Sequence, residues 1–192
     1  MKKSLFFLLL IAVLISTANG QFTKIGGGLA YGSGYYFNNV DFSGYRSPHL
    51  AVSFTGIYEI TVPIHVSPSF TVFFPHVSTS NDFKTIISEI MFDINGHYVF
   101  NSLDRFEFYG LGGLNILFTS WKEKPVGADA FKESDNALGL NLGAGTYIKI
   151  TDQFDAYCEA KYVIGKYDQF MFNAGVLINL DWLIKHEKQI IN

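Results

Sequence analysis

The sequence predicts an all-β protein: one eight-stranded, antiparallel, up-and-down barrel that crosses a membrane, preceded by a cleavable leader. Three observations predict it. After Gly20, apolar and other residues alternate with a period of two along most of the chain, the pattern of strands whose side chains take opposite faces. No apolar run after Gly20 reaches the roughly 20 residues a spanning helix needs, so a chain that crosses a bilayer must do so as a closed sheet. Glycine (18 residues) and aromatics (17%) are abundant, and helix-period segments are nearly absent.

The leader comes first. Lys2 and Lys3 precede the apolar run Leu5 to Ile15, and Ala18-Asn19-Gly20 offers a small-x-small cleavage site. These are the three regions of a secretory signal peptide, in order. The expected organisation is a signal peptide over 1–20, a barrel over 21–184 and a short tail over 185–192. Cleavage lowers Lys+Arg from 14 to 12 against 17 acidic residues, a net charge of −5. That excludes a nucleic-acid partner, which needs clustered basic residues. The single Cys158 excludes an internal disulfide, and it falls on an apolar strand face.

Eight strands follow from alternate positions. Phe22 to Tyr31 presents Ile25, Leu29 and Tyr31. Leu50 to Val62 presents Leu50, Val52, Phe54, Tyr58 and Ile60, opposite Glu59. Ile64 to Phe74 presents Val66, Phe70, Val72 and Phe74, with a bulge expected at Pro68 because proline cannot donate to a ladder. Ile86 to Phe100 sets Ile90, Phe92, Ile94, Tyr98 and Phe100 against Glu89, Asp93, Asn95 and His97. Arg105 to Phe118 sets Phe106, Phe108, Leu114, Ile116 and Phe118 against Arg105, Glu107, Tyr109 and Asn115. Leu138 to Ile150 and Phe154 to Ile164 continue the pattern, the latter with Asp155, Glu159 and Lys161 on its polar side. Gln169 to Trp182 closes the set, with Phe170, Phe172, Ala174, Val176, Ile178, Leu180 and Trp182 all apolar. From Phe172 to Trp182 is about 33 Å along a strand, or about 25 Å of height at a tilt of about 40°, the height of a barrel's lipid-facing band.

Connections alternate in length. Long polar loops are expected over 32–49, 75–85 and 119–137, and tight turns at Pro63, Asn101–Asp104 and Thr151–Gln153. Outer-membrane barrels place short turns in the periplasm and long loops outside, so both termini are expected to be periplasmic. A soluble eight-stranded barrel is the competitor, and it would turn the apolar face inward. Two features favour the membrane. Aromatics bracket the apolar face in two girdles: Tyr58, Tyr98, Phe106, Phe154 and Trp182 near the turns, and Tyr31, Phe74, Phe118, Tyr162 and Phe170 near the loops. The strands also exceed the usual ~5–6 residues of soluble sheets.

The phrases Phe108-Tyr-Gly-Leu-Gly-Gly-Leu114, Leu140-Asn-Leu-Gly-Ala-Gly145 and Tyr157-Cys-Glu-Ala-Lys-Tyr162, together with the closing strand, carry a resemblance. The chain is similar to the small eight-stranded outer-membrane β-barrel proteins of Gram-negative bacteria, the class of outer-membrane proteins A and X and the outer-membrane β-barrel domain family. The resemblance implies residence in the outer membrane, contact with its lipid and with the assembly machinery during biogenesis, and a monomer. Asn173, Gly175, Ile178 and Leu180 resemble the family's assembly signal. Such barrels commonly end on an aromatic of the last strand, whereas this chain runs on through Lys185 to Asn192.

The chemistry expected is sparse. No G-x-S-x-G, H-E-x-x-H, P-loop or EF-hand pattern occurs, and no cofactor or metal is expected. Gly26–Gly28 and Gly110-Leu-Gly-Gly precede no helix, so they relieve crowding in curved strands rather than cradle phosphate. The polar face carries a predicted lumen network: Glu59, Glu89, Asp93, His97, Arg105, Glu107, Glu159 and Lys161. These charges could line an ion path, but eight strands leave an interior just wide enough for side chains, which favours a filled lumen. The function expected is structural, or recognition and adhesion through outer loops. Gly32-Ser-Gly-Tyr-Tyr-Phe-Asn-Asn39 and Gly44-Tyr-Arg46 have the composition of adaptable recognition surfaces. The segment Trp121 to Asp135 mixes both charges, as a solvated loop would. The alternatives are a narrow solute channel, or a lipid-modifying enzyme or protease at the rim using His49, His76 or Ser78 with Asp41 or Asp82.

Overall fold

A computed structural model of the protein describes residues 21–34, 49–79, 83–125, 130–180 and 182. The expected signal peptide and tail, and most of the first loop, lie outside the described residues. Nine strands run β1 (Gln21–Gly32), β2 (His49–Thr61), β3 (Ile64–Phe73), β4 (His76–Thr79), β5 (Phe83–Leu103), β6 (Phe106–Pro125), β7 (Phe131–Lys149), β8 (Phe154–Gly165) and β9 (Gln169–Asn179). Their order in the sheet is β3-β2-β1-β9-β8-β7-β6-β5-β4, and β3 also pairs with β5. That last pairing shuts the sheet into a barrel. β3 and β4 both pair with β5 on either side of Phe74-Pro75, so together they make one interrupted wall position among eight. All ladders are antiparallel. Closure leaves the spanning strands no unpaired edge, which a bilayer demands.

The faces fall as the alternation requires. The outer surface carries Leu29, Phe54, Ile94, Leu114, Leu138 and Leu142, the last two 74% and 65% exposed. Aliphatic side chains that open can rest only against lipid, and the soluble alternative, which would bury them, fails here. Of the predicted girdle residues, Tyr31, Phe74, Tyr98, Phe106, Phe118, Phe154, Tyr162 and Phe170 all point outward and are exposed. Tyr58 is half-buried, its ring edge-on to Phe22 at 5.4 Å.

Three expectations need correction. β9 ends at Asn179, so Leu180 and Trp182 lie beyond the strand rather than on it. Asn179 is where β9 stops matching β1, and its backbone N–H turns to the Gln153 carbonyl at 2.8 Å. No bulge forms at Pro68. It sits in register opposite Ile94, and the register shift in β2 falls instead between Glu59 and Thr61. Toward β2 the backbone pairing lapses between Thr55–Ser69 and Tyr58–Val66, the gap a missing N–H makes. There Thr55 Oγ1 bonds Ser67 Oγ at 3.0 Å.

The long loops are shorter than expected too. β6 and β7 stay paired to Glu123–Phe131, and β5 and β6 to Phe83–Pro125. Polar residues hide the alternation that marks a strand, but ladder hydrogen bonds use the backbone alone. The opposite end is closed tightly. Val62-Pro63 joins β2 to β3, and Asp104-Arg105 joins β5 to β6 with Asp104 at φ 45°. Thr151 Oγ1 accepts from the Gln153 and Phe154 N–H groups in the β7–β8 turn. In that turn the hydrogen bond from Lys149 Nζ (2.8 Å) holds the Asp152 carboxyl below the usual range.

Candidate functional site

The lumen is filled in layers. Toward the loops, Ala30, Ala51, Phe73, Met91, Leu117, Val163, Tyr167 and Met171 form one apolar cluster. Toward the turns, Ile57, Tyr109, Leu111, Tyr147, Tyr157 and Leu177 form another. Between them lies a polar belt centred on Asp93. Its Oδ1 accepts from Asn115 Nδ2 at 2.7 Å and Asn141 Nδ2 at 2.8 Å. Its Oδ2 accepts from Lys161 Nζ at 2.8 Å and Ser69 Oγ at 3.2 Å. Asn141 Nδ2 also donates to Asn95 Oδ1 at 2.7 Å. The two charges are about as buried as charges can be, with side-chain exposures of 0% for Asp93 and 1% for Lys161. Such a pair is tolerable only when the remaining lone pairs are occupied, and here four donors occupy them.

A second carboxylate sits one residue pair closer to the turns. Glu159 accepts from Tyr109 Oη at 3.2 Å and from Asn173 Nδ2 at 3.2 Å, and lies 3.9 Å from Lys161 Nζ. His97 stacks on Tyr109 at 4.3 Å and places Nδ1 2.6 Å from the Tyr147 hydroxyl. With Tyr147 donating, Nε2 carries the hydrogen and faces Glu159 Oε2 at 3.7 Å. The Tyr109 and Tyr147 rings stack at 4.5 Å. A small residue on the neighbouring strand makes room for these rings: a Cβ on Gly145, the ladder partner of Tyr109, would stand 2.4 Å from the Tyr109 hydroxyl. Alternating large with small side chains is how narrow barrels fill.

The structure therefore divides the predicted lumen network. Asp93, His97, Glu159 and Lys161 come together in one belt. Glu89 is buried nearer the loops, with Oε1 3.3 Å from His49 Nε2, and His49 packs edge-on against Phe73 and His76. Glu59 and Glu107 are half-buried toward the turns. Glu107 lines a mouth there, near the Lys24–Asp155 ion pair of 2.7 Å. Arg105 lies outside the belt: exposed in the β5–β6 turn, it lines the same mouth as Glu107, with its carbonyl accepting from Lys149 N at 2.7 Å. Asn141 and Ser69 were legible by parity on the same faces, as Asn115 was, but carry no charge to draw attention. Of the rim-enzyme residues, Asp41 and Asp82 lie outside the described residues. Among the described residues, no group of three or more His, Cys, Asp or Glu could hold a metal.

A family model described as the outer membrane protein beta-barrel domain matches residues 5–179. The chain belongs to that family. Solved structures share the outer-membrane barrel fold. Ail, the attachment invasion locus protein of Yersinia pestis, in complex with the heparin analogue sucrose octasulfate, is 17% identical with a TM-score of 0.53, over 82% of this chain and 100% of that one. Neisserial surface protein A is 13% identical with a TM-score of 0.57, over 84% and 99%. OprG from Pseudomonas aeruginosa is 13% identical with a TM-score of 0.53, over 84% and 95%. No curated protein matches. Identities this low carry the fold and leave the chemistry to this chain's residues. This outer-membrane barrel resides in the outer membrane and contacts its lipid.

Proposed function

We propose that this outer-membrane barrel is a non-catalytic surface protein whose lumen is closed to solutes and whose loops recognise a ligand outside the cell. The observation that carries the reading is the Asp93–Lys161 belt between two apolar layers. A channel needs hydrated space along its axis, and here side chains take that space. The short turns at Val62-Pro63 and Asp104-Arg105 then face the periplasm with both termini, and the longer connections face outward. Exposed loops on a rigid scaffold are where recognition usually sits. The Ail structure in complex with a heparin analogue supports a surface ligand for a barrel of this fold. The protein is a monomer in this reading, and Asn173, Gly175 and Ile178 on β9 meet the assembly machinery during insertion. The aromatic girdles anchor at the two interfaces.

Two measurements test this. Refolded into planar bilayers, the protein should give no stepwise conductance, and steps of porin size would replace the closed lumen with a channel. Deleting 34–45 should abolish cell-surface or matrix binding while leaving the β-sheet circular dichroism intact. Unchanged binding by the deleted protein would remove the first loop from the recognition surface.

A further inference from the structure

Past the apolar band, β6 reads Ser120-Trp-Lys-Glu-Lys124, β7 enters as Lys132-Glu-Ser-Asp135, and β5 enters as Phe83-Lys-Thr-Ile-Ile87. As loops these would mix their charges. The ladder sorts them instead. Lys84 stands opposite Lys124. Ile86, Lys122 and Lys132 align in the next row, then Ser88, Ser120 and Ser134, then Ile90, Phe118 and Asn136. Alternate residues share a face, so the four lysines stand above Ile90 and Phe118 on the outward side. Glu123, Glu133 and Asp135 take the other side, with Trp121 and Glu89.

All four lysines are exposed, and among the described residues none forms an ion pair. Like charges directly opposite one another, Lys84 with Lys124 and Lys122 with Lys132, disfavour the ladder that holds them. An anion between them removes that repulsion. Directly below, a cleft of about 480 Å³ opens on the same wall, lined by Val72, Ile90 and Phe118 and by Ser88, Ser120 and Ser134, with Glu89 and Asp135 also in its lining.

We propose that this face binds the phosphorylated headgroup of a membrane lipid. The lysines hold the phosphate, the serine row meets the polar linkage, and the acyl chains lie on Val72, Ile90 and Phe118. The inference rests on the outer-membrane placement and goes beyond the loop-recognition reading. Height favours lipid over a soluble polyanion. From Phe118 to Lys122 is about 13 Å along the strand, or about 10 Å of rise at a tilt of about 40°. The headgroup layer is about 5–8 Å deep on each side of the hydrocarbon, and a lysine side chain can bend back over the difference. The charges also face sideways over the bilayer rather than upward from a loop tip.

The test is native mass spectrometry of the full chain released from phosphatidylcholine nanodiscs containing a minor fraction of phosphatidylglycerol. Wild-type protein should retain phosphatidylglycerol selectively, and retention should weaken roughly fivefold for each of K84Q, K122Q, K124Q and K132Q and fall with salt. The exposed substitutions should leave circular dichroism unchanged and should not lower the urea midpoint, since each removes a like-charge contact. If one of these variants misfolds, the remaining single variants carry the comparison. Equal retention by wild type and variants overturns the proposal. So does lysine-dependent binding of soluble heparin with no preference for phosphatidylglycerol, which would reassign the face to a polysaccharide. A chain that fails to enter the nanodiscs at all would instead remove the membrane placement, before any lipid is counted.

Discussion

Replacing Asp93 with asparagine should destabilise the folded barrel by about 3–5 kcal/mol, the cost of leaving a buried charge without its partner. Lys161 Nζ would keep only Glu159 Oε1, at 3.9 Å, for an opposite charge. It cannot reach water, because its side chain is 1% exposed beneath the loop-side apolar cluster. Replacing Lys161 with methionine leaves the carboxylate with three neutral donors, Asn115, Asn141 and Ser69, so it should also be costly. The double variant D93N/K161M removes both charges, and its cost should fall below the sum of the two, because neutral groups of similar volume avoid the desolvation penalty. Urea titrations in lipid vesicles, followed by tryptophan fluorescence, measure all three. Strictly additive costs would show that the two residues do not act as a pair, and the belt would lose its place as the centre of the lumen.

Gly175→Val should prevent normal closure between the first strand and the last. Gly175 faces Gly28 across the β1–β9 seam. A Cβ at Gly175 would lie 2.3 Å from the Gly27 carbonyl oxygen and 2.6 Å from the Gly28 Cα, and one at Gly28 would lie 2.1 Å from the Ala174 oxygen. These are backbone atoms, which cannot swing aside as a side chain does. The seam must open, at a cost at or above the ~1–3 kcal/mol of ordinary overpacking. Gly110→Ala is the contrast, since nothing lies within 4 Å of a Cβ there, and it should stay within about 0.5 kcal/mol of wild type. Refolding yield into vesicles, read by β-sheet circular dichroism and protease resistance, separates the two. A G175V protein that refolds like wild type would mean the seam is looser than the pairing implies.

Gly175 entered the sequence reading as part of an assembly signal, and the structure adds a packing reason for a residue without a side chain at that place. The same holds along β1, where Gly26 and Gly28 sit against Val176 and Ala174 backbone oxygens. Their crowding could be anticipated as a general feature of curved strands, but which strand they meet could not. A glycine's partner depends on closure, and closure joins residues about 150 positions apart.

What the sequence determined by itself is the side of the sheet each residue takes. Period two needs no partner: once Phe92, Ile94 and Tyr98 face one way, Asp93, Asn95 and His97 must face the other, whatever lies across from them. Parity does not by itself place the chain in a membrane, since a soluble barrel shares it; the closed sheet decides, by setting the apolar set on the outside. Tertiary structure alone decided which inward groups meet. Asp93 and Lys161 lie 68 residues apart, on β5 and β8, and only the registers of the intervening ladders bring them to one height. It also decided where strands stop. Residues 122–125 and 131–132 have no apolar stripe to announce a strand, yet they remain paired because their neighbours' backbone groups are already in place, and that pairing turns a mixed run of charges into a basic face and an acidic one.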